Sequence, residues 1–508
     1  MSCMHRLRVS VVLTYIAFSS ALCATVETGN DAKSFTKEAK IQVGGKTLRY
    51  VSTAAETILR DGEGNPIASI WSVAYTKPDA KKENRPVTFI YNGGPGASSS
   101  VLHIGLLGPK IVRREGAPNS DDGAAPYALI DNPNSILDLT DLVFVDPVGT
   151  GYSHALGDKS NQDFWSVGAD ARSMGDFIRQ WIADKQRWNA PKHILGLSYG
   201  TTRAVGVAHY LHTAHGIDMN SLLLLGPALD LGGLSSVDNN LLAYIGYLPS
   251  MATVAHYHGK AGQGKPLGAF AKEAREFALN DYAGALFKGN MMSDEERSRV
   301  IKQFADFTGL EESYVSAANL RVLVPRFRKE LLRKEGLTIG YSDGRYTGDE
   351  FDDTASDPLS GDPSMYKESG MYAAGFHHYM TQLGVTMPMP YKLWNSQVGK
   401  DWDWRPDVKA YADPQRYRVA KRANIIEVAS KLGTLMRRNE ALEVFAASGL
   451  YDIVTPFFDT ERTFANHGII QDRVALKYYE SGHRLWADIK SWEALSADIR
   501  QFYLDKQR

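Results

Sequence analysis

Between residues 39 and 76 apolar and polar positions alternate. "KIQVGG" and "KTLRYVST" flank a Gly-Gly pair, and "AETILRDGEGNPIASIWSVAYT" folds back on itself at a glycine-rich turn. A period of two interrupted by such turns predicts antiparallel strands. From residue 87 the rhythm changes to short uninterrupted apolar runs: "VTFIY" (87–91), "LVFV" (142–145), "HIL" (193–195), "LLLL" (222–225), "VFAA" (444–447) and "VALKYY" (474–479). Most are separated by long helix-compatible stretches and end near Gly, Pro, Asp or Ser. Continuous apolar runs alternating with helices predict buried strands of a mainly parallel sheet flanked by helices, an α/β fold. From about 235 to 440 the pattern is amphipathic instead, as in "PLGAFAKEAREFALNDYAGALF" and "SDEERSRVIKQFADF", where Ser293 and Glu296 make a capping box. The predicted organisation is a sheet domain in two parts, 25–234 and 441–508, interrupted by a largely helical cap insertion over 235–440.

Composition adds exclusions. A formal charge of -1 over 508 residues gives no electrostatic case for binding nucleic acid or an anionic membrane. The first 24 residues run from a basic "MSCMHRLR" through an apolar stretch to the small residues of "ALCAT", the layout of a signal peptide cut after Cys23 or Ala24. The apolar run is too short to span a bilayer comfortably, and Leu22 before Cys23 fits a lipid anchor poorly. Cys3 and Cys23 are the only cysteines, and no Asn-X-Ser/Thr site occurs. An exported chain without disulfides or glycosylation sites suits a bacterial periplasm, with secretion as the alternative. The polar loop 342–364 carries seven carboxylates without the fixed ligand spacing of an EF-hand, and reads as a solvated surface loop rather than a metal site.

The candidate chemistry lies at the ends of the apolar runs. "HILGLSYGTTRA" places Ser198 between Gly196 and Gly200, after a strand and before a helix-compatible stretch, which is the context of a nucleophile elbow. A serine hydroxyl needs a base to take its proton, and that base needs an acid to orient it. Two later run ends supply them in the order expected of doubly wound hydrolases: Asp452 in "SGLYDIVTP" and His483 in "ESGHRLW". "FIYNGGPGASSS" (89–100) directly follows a strand, and its backbone N–H groups can converge on a developing oxyanion. "LVFVDPVGTGYSHA" (142–155) is a further strand and glycine-rich loop with no chemistry of its own.

Together "NGGPGASS", "NPNSILDLTDLVFVDPVGTGYS", "GLSYG", "SGLYD" and "ESGH", in this order over about residues 87–485, resemble the serine carboxypeptidase family in its bacterial form. The resemblance implies an α/β-hydrolase fold with a helical cap and hydrolysis of C-terminal bonds in peptide substrates, with no cofactor and no metal. By matched position Ser198 is the nucleophile, His483 the general base and acid, and Asp452 its partner. Gly94 and Tyr199 would give the oxyanion-hole amides, while Asn92, with Gly93, would bind the substrate carboxylate.

The chain departs from that pattern at two places. Leu197 stands where the family has glutamate before the nucleophile, and Leu106 stands where a second glutamate follows the Gly-Gly-Pro-Gly loop. Those acids grip the substrate carboxylate in the family, and leucine donates no hydrogen bond. Arg203, five residues past Ser198, and Arg326 and Arg328 in the cap are considered as replacement cations, each competing with a structural role. Without the glutamates, activity should rise from mildly acid to neutral pH as His483 loses its proton. An esterase or acyltransferase on the same triad is the alternative enzyme, and an inert hydrolase-fold binding protein the alternative from another class. The sequence leaves the oligomeric state open.

Overall fold

Gly44 and Gly45 adopt φ of 55° and 75°, as a two-residue hairpin turn requires. They join β1 (Ser34–Val43) to β2 (Lys46–Arg60), and β3 (Pro66–Thr76) returns antiparallel beside β2. The computed structural model describes residues 32–505 except 114, 115, 117, 121, 122, 236, 238, 239 and 406–425; the expected signal peptide 1–24 lies outside the described residues.

The apolar runs become β4 (Val87–Tyr91), β5 (Asp141–Val145), β6 (Lys192–Leu197), β7 (Ser221–Leu225), β8 (Glu443–Gly449) and β9 (Val474–Tyr479). They form one sheet in the order β1-β2-β3-β5-β4-β6-β7-β8-β9, with His154–Ala155 added to β3. β3 meets β5 antiparallel, and from β5 to β9 every pairing is parallel.

The longer helices are α1 (Val167–Asp184), α2 (Tyr199–His215), α3 (Leu241–Tyr257), α4 (Leu267–Phe277), α5 (Asp294–Thr308), α6 (Pro363–Gln382), α7 (Ala429–Arg438), α8 (Phe457–Ala465) and α9 (Ile489–Asp505). Successive strand side chains feed opposite layers. Leu222 and Leu224 pack with α1, α2 and α7 through Phe177, Val205 and Leu432. Leu223 and Leu225 pack with α6 and α9 through Phe376 and Leu495. The sheet is therefore buried on both faces, which is why its strands read as continuous apolar runs.

The insertion differs from the predicted 235–440 unit. α3, α4 and α5 share a core around Tyr247, Phe270, Val300 and Phe304 that also takes in Tyr451, Ile453, Phe457 and Phe458 after β8. α6 and α7, by contrast, bury their apolar faces in the two layers on the sheet. The capping box is half formed: Ser293 accepts from Glu296 N at 3.2 Å, while the Glu296 carboxylate takes Lys288 Nζ at 2.7 Å. Among the described residues no helix is long and apolar enough to cross a membrane.

Candidate active site

β6 ends at Leu197 and α2 begins at Tyr199, so Ser198 alone turns the chain, at φ 60° and ψ −130°. A non-glycine residue in this region is strained and is held there by its surroundings. Ser198 N donates to Leu225 O at 2.9 Å, and Ser198 O accepts from Thr201 N at 2.8 Å and from Thr201 Oγ1 at 2.6 Å. The flanking glycines follow from close packing. A Cβ on Gly196 would run into the Gly200 carbonyl, and one on Gly200 would lie 2.6 Å from Tyr91 O.

Asp452 follows β8 and is fully buried. Its Oδ1 accepts from Val454 N at 2.7 Å and Thr455 N at 3.0 Å. Its Oδ2 accepts from Thr455 Oγ1 at 2.8 Å and lies 2.8 Å from His483 Nδ1. A carboxylate in this position favours the tautomer with the proton on Nδ1, leaving Nε2 as the basic nitrogen. His483 and Ser198 flank one strand end. Leu225 O takes the Ser198 amide, and a Cβ on the next residue, Gly226, would lie 3.2 Å from His483 Cε1.

The loop after β4 lies against the elbow. A Cβ on Gly93 would come within 2.6 Å of Leu197 O and 2.7 Å of Tyr199 N, and Gly94 adopts φ 111°. Tyr199 is the first helical residue, where an amide has no carbonyl four residues back to bond. Gly94, Ser198, Tyr199 and Thr455 line a cavity of about 720 Å³, together with Leu231, Leu234, Leu242, Tyr341 and Trp404. No Asp, Glu, His, Lys or Arg is among its described lining residues.

Asn92 and Gly93 are not among those lining residues. Asn92 is buried; its Oδ1 accepts from Leu102 N at 3.1 Å and its carbonyl from Arg203 Nη1 at 2.7 Å. Arg203 is committed to a buried ion pair with Asp170, whose two carboxylate oxygens share the Arg203 Nε donor at 3.0 and 2.8 Å. Arg328 donates to the carbonyls of Ile339 and Gly361, and Arg326 is exposed. Leu106 and Leu197 both belong to the apolar layer beneath the elbow, together with Leu195 and Leu225.

Sequence reasoning missed two supports of this site. Residues 391–395 tie both glycine-rich loops together. Ser98 N donates to Leu393 O at 3.0 Å, Asn395 N to Gly96 O at 2.8 Å, and Gly151 N to Lys392 O at 2.8 Å. Asp146 sits at the junction, accepting from Ser99 N at 2.8 Å and from the Tyr391 hydroxyl at 2.7 Å. Burial without a cation pushes its carboxyl up to about 7, against the pull of those two donors. The other support is the start of the acidic loop. Far from being solvated, Ser342, Asp343, Arg345 and Glu350 are buried. Its carboxylates cap backbone amides or pair with cations: Glu350 takes Leu359 N and Ser360 N, and Asp362 takes Tyr341 N and Ser342 N.

Residues 71–264 match the family model described as serine carboxypeptidase; Asn92, Gly93, Gly94, Ser198 and Tyr199 fall inside that stretch, Asp452 and His483 beyond it. Among solved structures, the chain is similar to a haloalkane dehalogenase loop variant from Bradyrhizobium elkanii, at 13% identity over 93% of this chain and 97% of that one, TM-score 0.33. It is also similar to an epoxide hydrolase from an endophytic Streptomyces, at 11% identity over 90% and 96%, TM-score 0.36. A peroxisomal alpha-beta-hydrolase from Saccharomyces cerevisiae matches at 9% identity over 94% and 90%, TM-score 0.32. The strand order and the strained serine turn are those of an α/β-hydrolase fold, and residues 71–264 of the chain match the family model described as serine carboxypeptidase.

Proposed function

We propose that the protein is a serine peptidase that removes residues from the C-terminal end of peptides through an acyl-enzyme. The observation that carries this reading is the 2.8 Å contact of His483 Nδ1 with Asp452 Oδ2, beside a strained serine on the same strand ends. Ser198 Oγ attacks the scissile carbonyl while His483 Nε2 takes its proton, and Asp452 stabilises the imidazolium. The amides of Gly94 and Tyr199 receive the oxyanion, each donor contributing about 3 kcal/mol to transition-state stabilisation. Collapse of the tetrahedral intermediate expels the amine with the proton from His483, and water, activated by the same histidine, releases the acid.

A free substrate carboxylate has no charged partner on the described cavity walls. Recognition then rests on apolar contact with Leu231, Leu234, Leu242 and Trp404 and on neutral hydrogen bonds. That same observation favours a second reading, in which the enzyme takes esters or blocked peptides. The basic, apolar and small-residue layout of residues 1–24 supports export, to the periplasm in the first instance.

A blocked dipeptide offered as free acid, C-terminal amide and simple ester separates the two. Release of the last residue from the free acid, with kcat/KM within about tenfold of the amide, is the expected result. Turnover of the ester alone would replace the peptidase reading by the second.

A further inference from the structure

We propose that Asp343 and Arg345, in the loop that follows the α3–α5 unit, are positioning residues that hold the histidine loop of the active site; this rests on the triad reading above. Ser342, Asp343 and Arg345 of one loop engage four consecutive residues, 480–483, of the other. His483 N donates to Ser342 O at 2.6 Å, and Gly482 N donates to Asp343 Oδ2 at 3.1 Å. Arg345 Nη2 lies 2.7 Å from Asp343 Oδ2 and 3.3 Å from Ser481 Oγ. Its Nη1 donates to Glu480 O at 2.7 Å and to Asp488 Oδ2 at 3.0 Å.

The same residues reach the acid loop. Gly344 N donates to Tyr451 O at 2.9 Å, Tyr451 N donates to Ser481 O at 3.0 Å, and the Arg345 guanidinium lies 5.1 Å over the Tyr451 ring. Tyr451 directly precedes Asp452. One guanidinium, itself 5% exposed, therefore ties the residues before His483 to the residue before Asp452. Neither of its hydrogen-bonded carboxylates lies in the cavity wall, and its contacts run to the backbone and side chains beside His483 and Asp452.

The arrangement is specific. Arg345 fills a planar fork with two carboxylates, a carbonyl and a hydroxyl, which a lysine cannot reproduce. Gly482 has no room for a side chain, because a Cβ there would collide with Asp343. Both residues lie outside the stretch 71–264 that the family model matches.

The test uses the full chain, p-nitrophenyl acetate as substrate and a fluorophosphonate as active-site label. Arg345→Met keeps the stem and removes the fork. We expect kcat to fall about 10- to 100-fold with KM within about threefold, and labelling to slow in parallel, as misplacement of a reacting group predicts. Circular dichroism at the assay temperature establishes that the variant is folded, so loss of fold does not account for the change. Should Arg345→Met fail to fold, Asp343→Asn, which keeps the acceptor for Gly482 and loses the ion pair, is read by the same criterion. A folded variant with wild-type kcat and labelling rate overturns the proposal, as does a change confined to KM. A wild type that is not labelled at Ser198 overturns the triad reading itself, a distinguishable outcome.

Discussion

A Cβ placed on Gly93 would lie 2.8 Å from the Cβ of Ser198. The glycine-rich loop and the serine turn are thus packed backbone to backbone, and the proposed oxyanion donors, the amides of Gly94 and Tyr199, would inherit their spacing from that contact. Gly93→Ala must push the loop off the elbow, because Leu197 O and Tyr199 N crowd the same point at 2.6 and 2.7 Å. Loss of an oxyanion donor predicts a fall in kcat of about 10²- to 10³-fold. Steady-state kinetics on the ester and on the blocked dipeptide check this, and a wild-type kcat would show that the loop does not set the donors.

Leu197 marks where this chain departs from the family whose model it matches, and its side chain is 5% exposed in the apolar layer with Leu195 and Leu225. Leu197→Glu therefore puts a carboxyl into a site without partners and should destabilise the fold by about 3 kcal/mol. It should not raise the preference for a free acid over an amide. Thermal melting and the paired substrates read both effects; an undiminished melting point together with a new free-acid preference would mean that residue 197 faces the substrate.

Asp146 gives a pH dependence with a sign opposite to that of most carboxylates. Its carboxyl is raised from 3.8 to about 7 by burial, so between those values the folded state holds a proton that the unfolded chain has released. Its contribution to stability is fully present below about pH 4 and is lost as pH rises through about 7. Asp146→Asn removes the titrating group and keeps an acceptor for Ser99 N. The melting point of Asp146→Asn relative to wild type should rise from pH 5 to about pH 7 and level off above it, and parallel curves would contradict the assignment.

Much of this was legible in the sequence because the central strands are sealed on both faces. "VTFIY" is a fully buried strand over the five residues that its apolar run marks, while "VALKYY" matches its run as the part-exposed edge strand. Gly196, Ser198 and Gly200 were legible for a related reason, since a strand and a helix in contact at a sharp turn exclude side chains at fixed positions. What escaped notice depends on partners distant in the chain. Asp343 and Arg345 look like members of a polar string until Gly482 and Asp488 are placed beside them. Tyr391 shows nothing locally of its bond to Asp146, 245 residues away. The amphipathic faces of α6 and α7 are equally compatible with a cap and with a sheet layer; only the packing shows that they cover the sheet.

In the proposed function Ser198 is the nucleophile and His483 activates it. The most direct measurement is the intact mass of the protein after reaction with a fluorophosphonate, with the modified residue located by peptide mapping. One adduct on Ser198, absent in Ser198→Ala and strongly slowed in His483→Ala, is the predicted result. An unmodified wild type, or an adduct on another residue that persists in Ser198→Ala, would contradict it.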